Sequence, residues 1–182
     1  EFIEATIHKF KQKSKQRVTP VDNQGVGGFE LEHLSYPGQL AFKQDVIRQA
    51  LEKYKPAGYA HYKLLPTIGM DDPQGYRNKA QFPVREVDGK LAVGMYKCHS
   101  HKLVDLPVVT TQHPATLKVV RGVRDILADM QLSIYNERKH KGVIKTLIAR
   151  VSESTGDVQL TIVTNGRSLP DADELIRRIH EA

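Results

Sequence analysis

An α+β fold, an antiparallel sheet built from two hairpins with helices packed on it, is what the sequence predicts, on three observations. Asp88-Gly89 separates two alternating runs, residues 76–87 and 90–97, and such a pair is a strong hairpin signal because both positions accept the left-handed backbone that a tight turn needs. Ser154-Thr155-Gly156 separates a second such pair, residues 143–151 and 157–164. Stretches with apolar residues at helical spacing fall before, between and after the hairpins, in the order helix, hairpin, helix, hairpin, helix. Hairpins pair antiparallel, and an amphipathic helix must cover an apolar face, so the layout predicts helices on a sheet.

The elements follow in chain order. Residues 2–10 alternate (Ile3, Ala5, Ile7 against Glu4, Thr6, His8) as a strand does and run into Lys9, Lys11, Lys13, Lys15 and Arg17. Residues 18–38 are rich in turn formers and read as a structured loop. Residues 39–54 carry Phe42, Val46, Ile47, Ala50, Leu51 and Tyr54 at helical spacing, and Lys55-Pro56-Ala57-Gly58 stops them. Residues 114–132 form a helix with Leu117, Val120, Val123, Leu127 and Met130 inward. The last helix, residues 169–182, has Pro170 in its first turn and Asp171, Asp173 and Glu174 near its positive pole. Arg177 and Arg178 come late in it, and Leu175, Ile176 and Ile179 share a face.

Composition narrows the function classes. The chain has 182 residues, 40% of them hydrophobic and 26% charged, within the range of one soluble domain. Its apolar runs are far shorter than the roughly 20 residues of a membrane-crossing helix, so no membrane partner is expected. One cysteine allows neither an internal disulfide nor a Cys-rich zinc site, which suits a reducing, cytoplasmic compartment. The start, Glu1-Phe2-Ile3-Glu4, has no initiator methionine and no signal peptide, and reads as an excerpt of a longer protein.

Few residues offer chemistry. Gly25-Val26-Gly27-Gly28 lacks the following Lys and Ser/Thr of a phosphate loop and reads as a turn. Cys98, His99 and His101 are the tightest metal-like cluster, with both histidines on one face of an extended segment, but a third strong ligand is missing nearby. Cys98 has no evident base to activate it, and Asp71-Asp72-Pro73 reads as a turn. No catalytic set, no bound cofactor and no metal site are expected.

What remains is electrostatic. Lys and Arg exceed Asp and Glu by 27 to 21, a net +6 that permits nucleic acid without requiring it. In the strand from Tyr76, one face reads Tyr76, Asn78, Ala80, Phe82, Val84 and the other Arg77, Lys79, Gln81, Pro83, Arg85. Three cations without an acid fit either a solvated sheet face or a surface that tracks phosphates with tyrosines nearby for stacking. A second basic stretch holds Arg138, Lys139, His140, Lys141, Lys145 and Arg150. RNA is the better guess than DNA because no helix-turn-helix or basic recognition helix is present.

The segment Gly75-Tyr76-Arg77-Asn78-Lys79-Ala80-Gln81-Phe82-Pro83-Val84 resembles the Tyr-Arg-Asn-Lys-Ala strand of the 23S ribosomal RNA uracil-5-methyltransferases. Other stretches agree in order: Glu32-His33-Leu34-Ser35-Tyr36 with Gln39-Leu40, Leu103-Val104-Asp105 with Gln112-His113-Pro114, and Gly142-Val143-Ile144 with Thr155-Gly156. The resemblance implies three parts: residues 1–19 as the end of a small TRAM-like β domain with its basic linker, 20–38 as a loop, and 39–182 as the central α+β domain. It implies RNA contact through Arg77, Asn78, Lys79, Gln81, Arg85, Lys145 and Arg150, although Lys145-Thr146 departs from the family's Arg-centred pair. The implied partners are 23S rRNA and other domains of the same chain.

Many members hold an iron-sulfur cluster through a Cys-Gly-Gly-Cys element, an earlier Cys and a fourth further on. Here the element reads Val26-Gly27-Gly28-Phe29, and Val109 stands near the fourth position. The resemblance is therefore to the cluster-free branch. The family transfers a methyl group from S-adenosylmethionine to uracil C5: a cysteine adds to C6, C5 takes the methyl, and a carboxylate base removes the C5 proton. By resemblance those residues and the cofactor's glycine loop belong to a domain following residue 182, so this chain would position RNA and be inactive alone. The competing reading from the residues is a stand-alone RNA-binding or ribosome-associated module without catalysis.

Overall fold

The computed structural model describes residues 8–21, 25–26, 28, 30–106 and 109–182. The chain divides into two compact units, residues 1–21 with 30–71, and residues 22–29 with 72–182. Most of the strand expected over residues 2–10 lies outside the described residues. Among the described residues no helix is long and apolar enough to cross a membrane.

The first unit is organised by helix α1 (Tyr36–Tyr54). Ser35 caps it: its Oγ accepts from the Gly38 N–H at 3.4 Å and donates to Gln16 Oε1. Pro37 occupies the first turn, where a missing N–H costs no helical hydrogen bond. The helix ends at Lys55, which turns left-handed (φ 40°) while its N–H donates to Leu51 O. The segment after the 3-10 turn Tyr59–His61 returns along α1, where Gln44 Nε2 donates to Leu65 O at 3.1 Å and Met70 N–H donates to Tyr36 Oη at 2.7 Å. The apolar stripe expected to be buried is not: Phe42, Val46, Ile47 and Tyr54 are exposed, and Gly38 is the one buried residue of the helix. Among its described residues this unit contains no sheet for the stripe to cover.

The second unit holds a five-stranded antiparallel sheet in the order β3-β2-β1-β4-β5. Its strands are β1 (Lys79–Val87), β2 (Lys90–Tyr96), β3 (Leu103–Asp105), β4 (Ile144–Val151) and β5 (Val158–Thr164), and its helices are α2 (Pro114–Asp129) and α3 (Ala172–Glu181). β1 changes partner along its length: Lys79 to Pro83 pair with β4, and Val84 to Val87 pair with β2. Pro83 sits at the changeover, where a residue without an N–H interrupts least. Asp88 (φ 51°) and Gly89 (φ 74°) close the β1–β2 hairpin in the left-handed region, as the Asp-Gly pair predicts.

Alternation along β1 builds the core. Ala80, Phe82 and Val84 are buried with Val93, Leu147 and Ala149, under Leu117, Val120, Val123 and Leu127 of α2. His113 caps α2 by accepting the Ala115 N–H on Nδ1 at 3.1 Å, and Pro114 follows in the first turn. α2 stops at Asp129, before Met130, and Gln131 turns left-handed (φ 52°). In α3, Leu175 is 1% exposed whereas Ile176 is 53% exposed, so Ile176 does not share the inward face expected of it. Arg178 pairs with Asp129, tying α3 to the end of α2.

Two departures have local causes. β3 has three residues, too few for a periodic signal. β1 starts at Lys79 and not at Tyr76 because the Arg77 backbone is committed elsewhere: its N–H donates to Thr111 O at 2.9 Å and its carbonyl accepts from His113 N at 3.0 Å.

Phe82→Ala is expected to destabilise the second unit by about 3–5 kcal/mol in urea unfolding, against less than ~0.5 kcal/mol for Lys79→Ala on the opposite face of the same strand. Glu174 accepts hydrogen bonds from Arg177 and then Arg178, which together lower its pKa from 4.5 to about 2. The folded value lies below the unfolded one, so this contribution is whole above about 4.5 and is lost as pH falls toward about 2. Glu174→Gln is expected to flatten the acid-induced loss of α3 helicity in that window, followed by circular dichroism.

Candidate nucleic-acid interface

The sheet face opposite the core carries cations, amides and hydroxyls over β1, β4 and β5, with Pro83, Ile148 and Val163 among them. Lys79 pairs directly with Arg150, Gln81 with Ile148 and Pro83 with Thr146, and the row continues to β5 through Arg150–Gln159, Ile148–Thr161 and Thr146–Val163. Lys79, Gln81, Arg150, Gln159 and Thr161 are exposed. Two cations stand side by side among these residues without a carboxylate, a surface that attracts anions and offers amide and hydroxyl hydrogen bonds. Register thus brings Lys79, Gln81 and Arg150 together across two strands.

Arg85 and Lys145 form a second group. β4 bulges at Lys145, because Ile144 opposes Thr164 and Thr146 opposes the adjacent Val163. Past Pro83 the β1–β4 ladder has ended, and Arg85 Nη1 reaches Lys145 O at 3.2 Å and Val84 O at 2.8 Å. Arg85 also pairs with Glu137, an acid that the strand's own alternation does not contain and that the loop after α2 brings to it. The Arg85 guanidinium lies 6.0 Å from the Tyr96 ring centre, and Lys145 Nζ lies 4.3 Å from that of Tyr135. Neither tyrosine stands out in the sequence, because each meets its cation across a turn or loop of about ten residues and not at a strand or helix spacing.

Arg77 and Asn78 lie outside β1. The Arg77 guanidinium is 5.8 Å from the Tyr76 ring, and a Cβ on Gly28 would come within 3.7 Å of it. Asn78 is exposed, and its carbonyl accepts from Val151 N at 2.9 Å.

The metal-like cluster is a turn and not an extended segment: Ser100 N donates to Lys97 O at 3.1 Å, and His99 is left-handed (φ 55°). Cys98 is exposed, and its N–H donates to Gly25 O at 2.9 Å, tying residues 25–26 to the end of β2. Among the described residues no group of three or more His, Cys, Asp or Glu is placed to hold a metal ion. Residues Gly27 and Phe29 of the loop that resembles a cluster site lie outside the described residues. One cysteine does not fit the thiolate set of an iron-sulfur cluster. Nor do the described residues fit S-adenosylmethionine: their named strands pair antiparallel, and among them the connections into α2 and α3 show no glycine-rich strand-to-helix turn.

No family model matches the chain. It is 52% identical over 182 residues to a protein of Lactiplantibacillus plantarum and 44% identical over 183 residues to one of Enterococcus faecalis, both named uncharacterized RNA methyltransferases. A Listeria innocua protein with the same description is 40% identical over 185 residues. Each alignment takes in 99% to 100% of this chain, and the chain spans only 38% to 40% of the length of these curated relatives. Among solved structures, the fold resembles that of Pyrococcus abyssi tRNA (uracil-54, C5)-methyltransferase in complex with S-adenosyl-L-homocysteine, with a TM-score of 0.66 and 20% identity over 92% of this chain and 37% of that one.

The loop carrying Tyr135 to Lys141 is held closed at Gly142, whose φ is +100° and where a Cβ would lie 2.1 Å from Ile134 O. Gly142→Ala is expected to open it, accelerating hydrogen exchange of the Val143 and Ile144 amides that donate to Ser133 O at 2.9 and 3.0 Å, and lowering stability by about 1–3 kcal/mol.

Proposed function

We propose that this chain is the RNA-positioning part of an S-adenosylmethionine-dependent RNA uracil-C5 methyltransferase, acting on 23S rRNA in the cytoplasm. The observation that carries the RNA role is the uncovered sheet face on which Lys79 and Arg150 are in register, flanked by Gln81 and Gln159. The relatives named RNA methyltransferases support the parent activity, and the span of 38% to 40% of their length supports a piece of a larger enzyme. The fold likeness to a uracil-C5 methyltransferase agrees with the motif resemblance. On this reading residues 1–19 end a TRAM-like domain, 20–38 stand where other members carry a cluster loop, and 39–182 correspond to the central domain. The methyl donor and the reacting cysteine and carboxylate belong to a part of the parent that this chain does not supply.

In this proposal the paired cations hold phosphates of a single-stranded stretch, and their contribution to affinity depends on counterion release. Lys79→Ala with Arg150→Ala is expected to weaken RNA binding and to reduce the slope of log affinity against log salt by about 1.4, roughly 0.7 for each phosphate no longer neutralised. Filter binding across a salt series measures it, and an unchanged slope rejects this face as the interface. The reading frame beyond Ala182 separates the parent activity from a stand-alone RNA-binding module: the first requires a glycine loop and a nucleophilic cysteine downstream.

A further inference from the structure

A cleft of about 640 Å³ opens beside Arg85, walled by Tyr96, His101 and Lys102 on one side and by Tyr135, Glu137 and Arg138 on the other. Its volume is in the roughly 300–1,000 Å³ range of small-ligand sites. We propose that this cleft receives one unpaired nucleotide of an RNA strand, the base stacked on the tyrosine side chains and the phosphates held by the loop at Arg138, Lys139 and Lys141. The proposal rests on the RNA reading above and assigns a base-binding subsite to Tyr96, His101 and Tyr135, which that reading does not use.

The walls are those of a stacking site. Tyr96 and Tyr135 each carry a cation over the ring, at 6.0 and 4.3 Å, and His101 meets Tyr96 edge-on, with centres 6.3 Å apart and planes at 75°. Aromatic faces and the guanidinium plane are the surfaces on which splayed-out bases stack, and they accept any base because every base has a π face. Arg85 is fixed by two carbonyls and by Glu137, so its plane is pre-oriented.

The phosphate side is equally built. Asn136 N donates to Lys141 O at 2.7 Å, and Asn136 Oδ1 accepts from the N–H groups of Arg138 and Lys139 at 3.1 Å each, which closes the loop on itself. Arg138, Lys139 and Lys141 are exposed on this closed loop. Its single carboxylate, Glu137, is already paired with Arg85, leaving the tip cationic. Glu86 and Asp88 also line the cleft and repel phosphate beside them, so the backbone of the strand runs along the cationic loop and the base points inward.

The test is a titration of the full chain with a short single-stranded RNA containing 2-aminopurine, whose fluorescence falls when it stacks. Wild type is expected to quench it. Tyr135→Leu and Tyr96→Leu should each abolish quenching and weaken binding roughly 5- to 150-fold, the range for losing one base–aromatic stack. Tyr135→Phe should keep both signals, and Lys79→Ala with Arg150→Ala should weaken binding while quenching persists. If both leucine variants retain wild-type circular dichroism and still quench, the cleft assignment is overturned and the RNA reading stands. If wild type binds no RNA, both fall. Photo-crosslinking of 5-bromouridine RNA to the wild-type chain decides the matter without variants: adducts at Tyr96 or Tyr135 support the cleft, and adducts confined to other residues overturn it.

Discussion

Strand β1 has to satisfy two neighbours in succession, and Pro83 marks the step from one to the other. Its first half is held by β4 and its second by β2, while strict alternation sends Ala80, Phe82 and Val84 inward. Because side chains on paired strands share a face, burial of these three residues dictates that Leu147 and Ala149 are inward and that Thr146, Ile148 and Arg150 are outward. The helices then have one apolar face to cover. The other face is left to charge, amides and a few aliphatic side chains.

The same changeover separates the cations into two kinds. Lys79 and Arg150, where the β1–β4 ladder is intact, are exposed and held only by their strands. Such charges attract a polyanion at long range, and salt screens them. Arg85 lies past the end of that ladder, where its guanidinium donates to the carbonyls of Lys145 and Val84. It is anchored before any ligand arrives. A surface that combines loosely held and fixed cations serves both encounter and orientation.

Much of the second unit is legible in the sequence because its signals are local. Asp88-Gly89, the alternation of residues 80–84 and the spacing of Leu117, Val120, Val123 and Leu127 each determine geometry within a few residues, and β1, β2, β4, β5 and α2 lie within a few residues of their expected limits. What is not legible depends on distant partners. Nothing near Glu137 announces that it neutralises Arg85, and Tyr96 and Tyr135 come from opposite sides of α2 in the chain. Arg77 reads as a strand residue because alternation continues through it, while its backbone is held by Thr111 and His113. The stripe on α1 is real as a pattern, but a pattern cannot say whether anything is present to cover it.

The bulge at Lys145 gives the sheet a residue it does not need. Ile144 and Leu147 face the core on either side of it, so a strand shortened by that one position would alternate regularly and keep every buried residue buried. The loss would be felt outside the core, by Arg85, which would forfeit a carbonyl, and by Tyr135, which would lose its ammonium partner. Length at this position is therefore nearly neutral for the fold and decisive for the surface. Such a position lets a lineage remodel what its cleft accepts by a single codon inserted or removed, without having to solve the packing problem again.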